Sequence, residues 1–321
     1  MRTALFGTAF GALMHSCYTS SSSSSVESTS SKSSVAQCGG GNGPQISQRK
    51  DFEPLARPYE PLPPAFSPKE FQAFPLVNSY DESPDSKVLR FAFPDGLQSS
   101  GMKLTSFVLL RYKGEDGKDV IRPYTPISRL DQKGYIEILV KCYQNSKMGN
   151  HLHKLKLGQT IEVKGPFEKL PYQPGQYKKI GMIAGGSGIT PMFQLMRECL
   201  KEQKPPEVSL IYANRRKEDI LLGSEISEFY ELYQHFAPYF VLDEPPRDWM
   251  GGIGHVTKDM VQQIMPPPTR VLDSVVCVCG PPGFMKHICG EKDFSKSPPA
   301  QGEVGGLLKE LGYPTKMVYK F

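Results

Sequence analysis

The stretch KKIGMIAGGSGITPMFQLMRECL, residues 178–200, decides the fold of the second half of the chain. It begins as an apolar run of the strand type, passes through the glycine-rich turn AGGSGITP (184–191) and ends with helical spacing. The glycines let the backbone approach a ligand, and Thr190 can cap the following helix. The exposed N–H groups at the N-terminus of that helix favour binding of a phosphate. Because Pro191 stands at the third glycine position of G-x-G-x-x-G, the turn also fits an ordinary strand-to-helix connection.

A second marker, CGPPGF (279–284), directly follows the apolar run SVVCVC (274–279). In an open parallel sheet, ligands bind beyond the carboxyl ends of the strands, so the two motifs are expected to face one crevice. Cys279 would place a small, polarisable side chain beside the ligand, and the prolines would hold the loop rigid. A stiff turn with one core cysteine is the alternative interpretation.

Strand-like and helix-like segments alternate through the whole second half of the chain. The further strands are expected at 207–213 and 239–244, and the further helices at 223–236, 257–265 and 302–312. This alternation predicts an α/β domain with a doubly wound parallel sheet.

The first half has the period-two pattern of short strands. KVLRFAF, TSFVLLRY, YIEILVK and TIEVKGP are separated by the turns PDG, GEDG and DQKG, and only residues 148–157 suggest a helix. The pattern predicts an antiparallel β-barrel, with a sandwich as the alternative. We therefore expect a targeting segment and Ser/Gly/Pro-rich linker at 1–65, a β-barrel domain at 66–174 and an α/β domain at 175–321.

The turn RPYTPIS (122–128) combines three chemistries in adjacent residues. Arg122 can hold a diphosphate, Tyr124 can stack on a flat ring, and Thr125 can place a hydroxyl beside a ring nitrogen. Together they indicate a dinucleotide with a planar redox group. A surface turn shaped by its prolines is the alternative, but it does not explain why the three chemistries are adjacent.

RPYTPIS, GMIAGGSGITPM and CGPPGF, in that order and spacing, resemble the NADH-cytochrome b5 reductases of the ferredoxin-reductase superfamily. The likeness extends to GPFEKLPY (165–172) and to the tail LKELGYPTKMVYKF (308–321), where the plant mitochondrial form is most similar. It covers residues 66–321. It implies an FAD-binding barrel, an NADH-binding domain and a flavin held between them.

The resemblance also implies the residues of the site. FAD would be bound by Arg122, Pro123, Tyr124, Thr125, Lys141, Tyr143, Lys147, Met148, Gly149 and the terminal Phe321. NADH would be bound by Gly185, Gly186, Thr190, Asp243, Cys279, Gly280 and Pro281. The candidate catalytic residues, expected nearest the reacting rings, are Thr125, Thr190 and Cys279. No metal site is expected, because the seven cysteines are scattered and form no C-x-x-C pair.

One loop departs from the family pattern. The family's diphosphate loop reads approximately G-K-M-S, whereas this chain has SKMGN (146–150), so that Gly149 stands in place of the serine. The N–H groups of Met148 and Gly149 remain as donors. Losing one hydroxyl donor costs on the order of 1 kcal/mol, which predicts weaker retention of FAD.

Two features give opposite predictions about the nicotinamide cofactor. The basic pair Arg215 and Arg216 in ANRRKED (213–219) could meet the 2′-phosphate of NADPH. Asp243, at the end of the third strand expected in the α/β domain, matches the acidic residue that favours NADH in the reductase family. Because strand-end arginines are more often solvated than specific, we expect NADH.

The predicted activity is transfer of hydride from NADH to FAD, followed by single-electron transfer to cytochrome b5 or a similar acidic haem protein. A reductase of the same fold with another acceptor, and a flavin-binding protein without turnover, are the alternatives. The net charge of +5 without a clustered Lys/Arg stripe argues against nucleic acid. We expect a monomer, and peripheral association with a membrane stays open.

The N-terminal segment, residues 1–34, has an early arginine, a short apolar run, many hydroxyls and a single acidic residue. This composition is typical of a mitochondrial or plastid transit peptide. A secretory signal, leading to the endoplasmic reticulum, is the alternative, with residues 4–14 as its apolar region. We expect a mitochondrial protein.

Overall fold

The computed structural model describes residues 62–296 and 299–321. Almost all of the predicted targeting segment and linker therefore lies outside the described residues. Within the described ranges, no helix is both long and apolar enough to cross a bilayer.

Six strands form one antiparallel sheet in the order β4-β3-β6-β1-β2-β5. They are β1 (Gln72–Ser83), β2 (Ser86–Ala92), β3 (Ser106–Lys113), β4 (Asp119–Tyr124), β5 (Tyr135–Lys141) and β6 (Thr160–Glu168). The first residues of β1 pair with β6 and the rest pair with β2, so this strand joins two ladders. We call this part the antiparallel domain. The single helix in its sequence, α1 (Lys147–Lys154), packs against β4 and β5.

Alternating burial along the strands builds the core of this domain. In β3, for example, Val108 and Leu110 are buried while their neighbours are partly exposed. Phe66, Phe74 and Phe93 meet edge to face within the core, with ring centroids 5.1 to 6.1 Å apart. Such aromatic contacts stabilise the packing beyond the area they bury.

Six parallel strands form the second sheet, in the order β10-β9-β8-β7-β11-β12. They are β7 (Lys179–Gly185), β8 (Glu207–Asn214), β9 (Phe236–Leu242), β10 (Gly252–Ile253), β11 (Ser274–Cys279) and β12 (Val318–Lys320). Its helices are α2 (Ile189–Cys199), α3 (Gly223–Leu232), α4 (Lys258–Ile264), α5 (Pro282–Ile288) and α6 (Gly306–Glu310). We call this part the parallel domain.

The predicted order, an antiparallel β domain followed by an α/β domain with a parallel sheet, is confirmed, and the strands of the expected β-barrel form the six-stranded antiparallel sheet. Several local expectations were wrong, and the helix expected at 302–312, for example, spans only Gly306–Glu310. CGPPGF was expected to be a loop, yet α5 begins at Pro282 inside it, because proline is well suited to the first position of a helix. The helix expected at 223–236 ends at Leu232, and Phe236 already belongs to β9.

Candidate cofactor-binding cleft

The order of the parallel sheet reverses between β7 and β11, and both motifs of the second half lie at that point. A Cβ on Gly188 would lie 2.2 Å from the carbonyl oxygen of Cys279, so only glycine lets the two loops meet. The N-cap of α2 is Gly188, not Thr190 as expected. Thr190 lies in the first turn, where its hydroxyl donates to the Ser187 carbonyl at 3.3 Å. The paired loops form the floor of a crevice at the switch point of the sheet.

A cleft of about 1000 Å³ opens over this edge, and both domains line it. The antiparallel domain contributes Pro84, Asp85, Lys141 and Tyr143. The parallel domain contributes, among others, Gly185, Gly186, Asn214, Arg215, Arg216, Asp243, Pro281 and Phe284. The structure thus brings together residues from β5, the two glycine-containing loops and the ends of β8 and β9.

The two domains meet at the glycine-rich turn. The hydroxyl of Tyr143 lies 2.9 Å from that of Ser187. Gly186 has a φ of +52°, and a Cβ there would lie 3.3 Å from the Tyr143 hydroxyl. The turn therefore presents bare backbone to the cleft directly opposite an aromatic side chain of the antiparallel domain.

Lys141 is held by two carboxylates from different domains. Its Nζ lies 2.7 Å from Asp85 and 3.1 Å from Asp219, and its side chain is only 12% exposed. Burial alone would lower the pKa of Lys141, but the hydrogen bonds to Asp85 and Asp219 raise it overall. The ammonium group of Lys141 therefore stays charged on the wall of the cleft. The sequence analysis expected this residue to flank the flavin.

The end of β4 carries the side chains expected to hold FAD. Arg122 is exposed, and its Nη1 donates to the Ile121 carbonyl at 2.7 Å. Among the described residues it has no carboxylate within ion-pair distance, whereas Arg111 on the adjacent β3 is paired with Glu162 at 2.8 Å. An exposed, uncompensated guanidinium fits a phosphate ligand. Pro123 beside it is exposed as well.

Tyr124 and Thr125, the next two residues, are half-buried. Burial is the main cause that raises the pKa of Tyr124 to about 12, so its phenol is neutral near pH 7. A neutral ring next to the open cation of Arg122 suits a planar group joined to a diphosphate. These two residues therefore fit the part of FAD that the sequence assigned to them.

Helix α1 turns its N-terminus to the same region. The hydroxyl of Ser146 caps the helix by accepting from the N–H of Gly149 at 3.0 Å. That bond occupies one of the two N–H groups assigned to the diphosphate. The helix is positioned by Tyr112, whose ring stacks on His151 at 3.8 Å and whose hydroxyl donates to the Lys147 carbonyl. Met148, next to the cap, is buried.

The C-terminus lies beside the CGPPGF loop. The N–H of Phe321 donates to the carbonyl of Val278 at 2.9 Å, which places the last residue next to Cys279. Lys169 of the antiparallel domain lies 5.9 Å from the Phe321 ring. Burial raises the pKa of the Cys279 thiol although Lys169 lowers it, so the thiol stays protonated. Gly280 is required here, because a Cβ would lie 2.5 Å from the Phe284 ring.

The far end of the cleft, next to the ends of β8 and β9, carries polar atoms that make no hydrogen bond within the described residues. Asn214 is 8% exposed, and neither its amide nitrogen nor its amide oxygen makes a hydrogen bond within the described residues, although the Tyr212 hydroxyl lies nearby. Asp243 lines the same end, with its N–H donating to the Asn214 carbonyl at 3.1 Å. The half-exposed carboxylate of Asp243 fits a hydroxyl-bearing ligand such as a ribose.

Two protein families match the two domains. Residues 73–172 match the Oxidoreductase FAD-binding domain, and residues 182–290 match the Oxidoreductase NAD-binding domain. NADH-cytochrome b5 reductase 2 of Aspergillus clavatus is 45% identical over 241 residues, which is 74% of each chain. The protein of the same name from Neosartorya fischeri is 42% identical over 269 residues, 81% of this chain and 82% of that one. The chain belongs to the NADH-cytochrome b5 reductase family.

A solved structure agrees with this family assignment. The cytochrome b5 reductase domain of Ulva prolifera nitrate reductase superposes with a TM-score of 0.69 at 27% identity, over 81% of this chain and 100% of that chain. The CS-b5R domains of human Ncb5or share the fold, with a TM-score of 0.62 at 20% identity over 78% of this chain and 69% of that one. FAD and NAD are the cofactors of the two matched domain families.

Several residues of the cleft escaped the sequence analysis. Asp85 and Asp219, which hold Lys141, lie 134 positions apart and only the fold brings them together. Phe284, which packs on Gly280, lies in a motif that had been noticed but was interpreted as a rigid loop. Outside the cleft lining, Glu82 of β1 accepts a hydrogen bond from the N–H of Leu222, and nothing in the sequence around Leu222 indicated this contact.

Proposed function

We propose that the protein takes hydride from NADH through FAD and delivers single electrons to cytochrome b5 or a similar haem protein. The observation that carries this proposal is the shared cleft, in which Tyr143 of the antiparallel domain faces Ser187 in the glycine-rich turn. A flavin and a nicotinamide must meet ring to ring. A cleft between an FAD-binding-type and an NAD-binding-type domain supports such a meeting.

When bound, FAD supplies the conversion of a two-electron hydride into single electrons. The chain's own residues bind and orient the reactants. Arg122 and the start of α1 would hold the diphosphate, and Tyr124 would cover the ring. The bare backbone at Gly185 and Gly186 leaves room for NADH.

The residues nearest the expected meeting point bring little charge. Cys279 stays protonated because burial raises the pKa of its thiol, and Thr190 is 8% exposed with its hydroxyl already donating to Ser187. Neither side chain is placed to move a proton to solvent. Their role in the proposal is to shape the contact and to exclude water, in keeping with chemistry that belongs to the cofactor.

A second acceptor class is favoured by one observation. The whole reductase domain of Ulva prolifera nitrate reductase superposes on 81% of this chain, so the same architecture also occurs inside a larger enzyme. Steady-state oxidation of NADH with a panel of electron acceptors distinguishes cytochrome b5 from another acceptor class. We expect cytochrome b5 to give a kcat/KM well above those of a nitrate-reductase haem domain and ferricyanide. The reverse order would favour the second acceptor class.

We propose that the N-terminal segment directs the protein to mitochondria. The support is its composition, which is basic, rich in hydroxyls and nearly free of acidic residues. Residues 1–50 fused to a fluorescent protein test the proposal. Mitochondrial fluorescence is expected, and secretion or import into plastids would contradict it.

A further inference from the structure

One carboxylate binds two arginines at the far end of the cleft. The Nε atoms of Arg215 and Arg216 lie 2.8 and 2.7 Å from Oε1 and Oε2 of Glu244, so each oxygen takes one guanidinium. The arginines follow β8 and the glutamate follows β9. The Glu244 N–H donates to the Arg215 carbonyl at 2.8 Å, which continues the pairing of these strands. The backbone therefore fixes the relative positions of the three side chains.

The arginine turn is anchored from a second side. The N–H of Arg216 donates to Asp219 at 3.0 Å, and Asp219 also accepts from Lys141 across the domain boundary. The backbone of the basic pair is therefore held in place independently of Glu244. Substitution of Glu244 should free the two guanidiniums without releasing the loop that carries them.

Charge at this end of the cleft is balanced by Glu244. Arg215 and Arg216 line the cleft, whereas Glu244 lies outside its lining. Hydrogen bonds from Arg216 and Arg215 lower the pKa of Glu244, so it is ionised near neutral pH. Asp243 lines the cleft with a side chain that is 45% exposed. Glu244 thus offsets part of the charge of Arg215 and Arg216, in a part of the cleft that the carboxylates of Asp243 and Glu218 also line.

We propose that Glu244 is a specificity-determining residue that withholds Arg215 and Arg216 from a 2′-phosphate. The inference rests on the proposed function, since it assumes that the adenosine of NADH occupies this end of the cleft. A 2′-phosphate is recognised best by guanidiniums that offer two free N–H groups. Glu244 holds the Nε atom of each arginine and neutralises part of their charge, so a 2′-phosphate could use only the Nη atoms and would have to approach both Glu244 and Asp243. The basic pair therefore does not make this protein an NADPH enzyme.

Binding of nucleotide fragments tests the proposal without turnover. Calorimetry would compare 2′,5′-ADP and 5′-AMP on the FAD-loaded wild type, on Glu244→Gln and on Glu218→Gln. Glu218 lines the same cleft and makes no ion pair with the arginines among the described residues, so its substitution removes the same charge as a matched control. We expect Glu244→Gln to bind 2′,5′-ADP about tenfold more tightly than the wild type, with 5′-AMP changed by less than about twofold.

Three controls make the outcome decisive. Glu218→Gln should tighten 2′,5′-ADP by less than about threefold, the size of a general charge effect. Adding Arg215→Ala and Arg216→Ala to Glu244→Gln should remove the gain. Equal gains in both single variants, or weaker binding by Glu244→Gln, would overturn the proposal, the latter by showing that Glu244 orients the arginines toward the phosphate. If 5′-AMP binds to none of the proteins, the assignment of the cleft to NADH fails as well.

Discussion

Glu82 of the antiparallel domain accepts a hydrogen bond from the backbone N–H of Leu222 in the parallel domain, with 2.7 Å between Oε1 and N. Leu222 precedes α3 and has a left-handed backbone, with a φ of +56°. Few L residues adopt this conformation without support. The carboxylate of one domain thus binds the N-cap residue of a helix in the other and links the two domains.

This contact predicts how stability depends on pH. Burial raises the pKa of Glu82 above its ordinary 4.5, while the Leu222 N–H lowers it and Glu225 raises it. Because the folded-state pKa is the higher one, the contribution of Glu82 is fully present below pH 4.5 and is lost as pH rises through the folded pKa. Glu82→Gln keeps an acceptor and does not titrate.

Urea unfolding of both proteins between pH 4.5 and 7.5 measures the effect. We expect the stability of the wild type, relative to Glu82→Gln, to fall as the pH rises and then to level off. A difference that is constant, or that grows with pH, would show that the pKa of Glu82 is not raised in the folded protein.

Tyr124→Ala is expected to release FAD while the fold is retained. The side chain is half-buried at the end of β4, and loss of a stacking ring costs about 1 to 3 kcal/mol, or roughly a fivefold to 150-fold rise in the Kd for FAD. Tyr124→Phe keeps the ring and serves as the control. Flavin fluorescence titration gives both dissociation constants, and circular dichroism checks the fold. An alanine variant with the wild-type Kd would remove Tyr124 from the flavin site.

Gly149→Ser tests the effect of having glycine in place of the family's serine in the diphosphate loop. The structure shows that this variant needs a second variant for comparison. A Cβ at this position would lie 2.9 Å from the Ser146 hydroxyl that caps α1. Any side chain therefore disturbs the cap, and the hydroxyl can be judged only against Gly149→Ala, which adds the same Cβ. We expect the serine variant to bind FAD about fivefold more tightly than the alanine variant. Equal constants would show that residue 149 does not reach the diphosphate.

Asp243→Ser is expected to raise the use of NADPH relative to NADH. The carboxylate lines the cleft, can accept from a ribose hydroxyl, and repels a phosphate in the same place. The ratio of kcat/KM for NADPH over NADH should rise by about tenfold or more. Steady-state kinetics with both cofactors measure it. A wild type that already prefers NADPH would assign the decisive role to Arg215 and Arg216 instead.

The sequence predicts the parts of this molecule that depend on local pattern. Strand and helix periodicity, together with glycines at 185, 186 and 188, predicted the crossover at which the cleft opens. Thr190 was misjudged because the backbone, with Gly188 as the cap, decides where a helix begins, and several small residues nearby were equally suited.

Tertiary pairs were not predictable from one sequence. Lys141 meets Asp219 across 78 positions, and Glu82 meets Leu222 across 140. Neither contact has a signature in the local sequence, because a contact between domains depends on which distant residues the fold brings together. For the same reason the role of Glu244 was not predicted. It lies next to Asp243 in the sequence but forms ion pairs with the two arginines that follow the neighbouring strand.

Anaerobic titration of the purified protein with NADH tests the central claim most directly. The account predicts a yellow protein whose visible flavin absorbance is bleached by one equivalent of NADH. Oxidised cytochrome b5 should then restore the absorbance, with two cytochromes reduced for each NADH consumed. A purified protein that binds no flavin, or a bound flavin that NADH does not bleach, would contradict the claim and favour a flavin-binding protein without turnover.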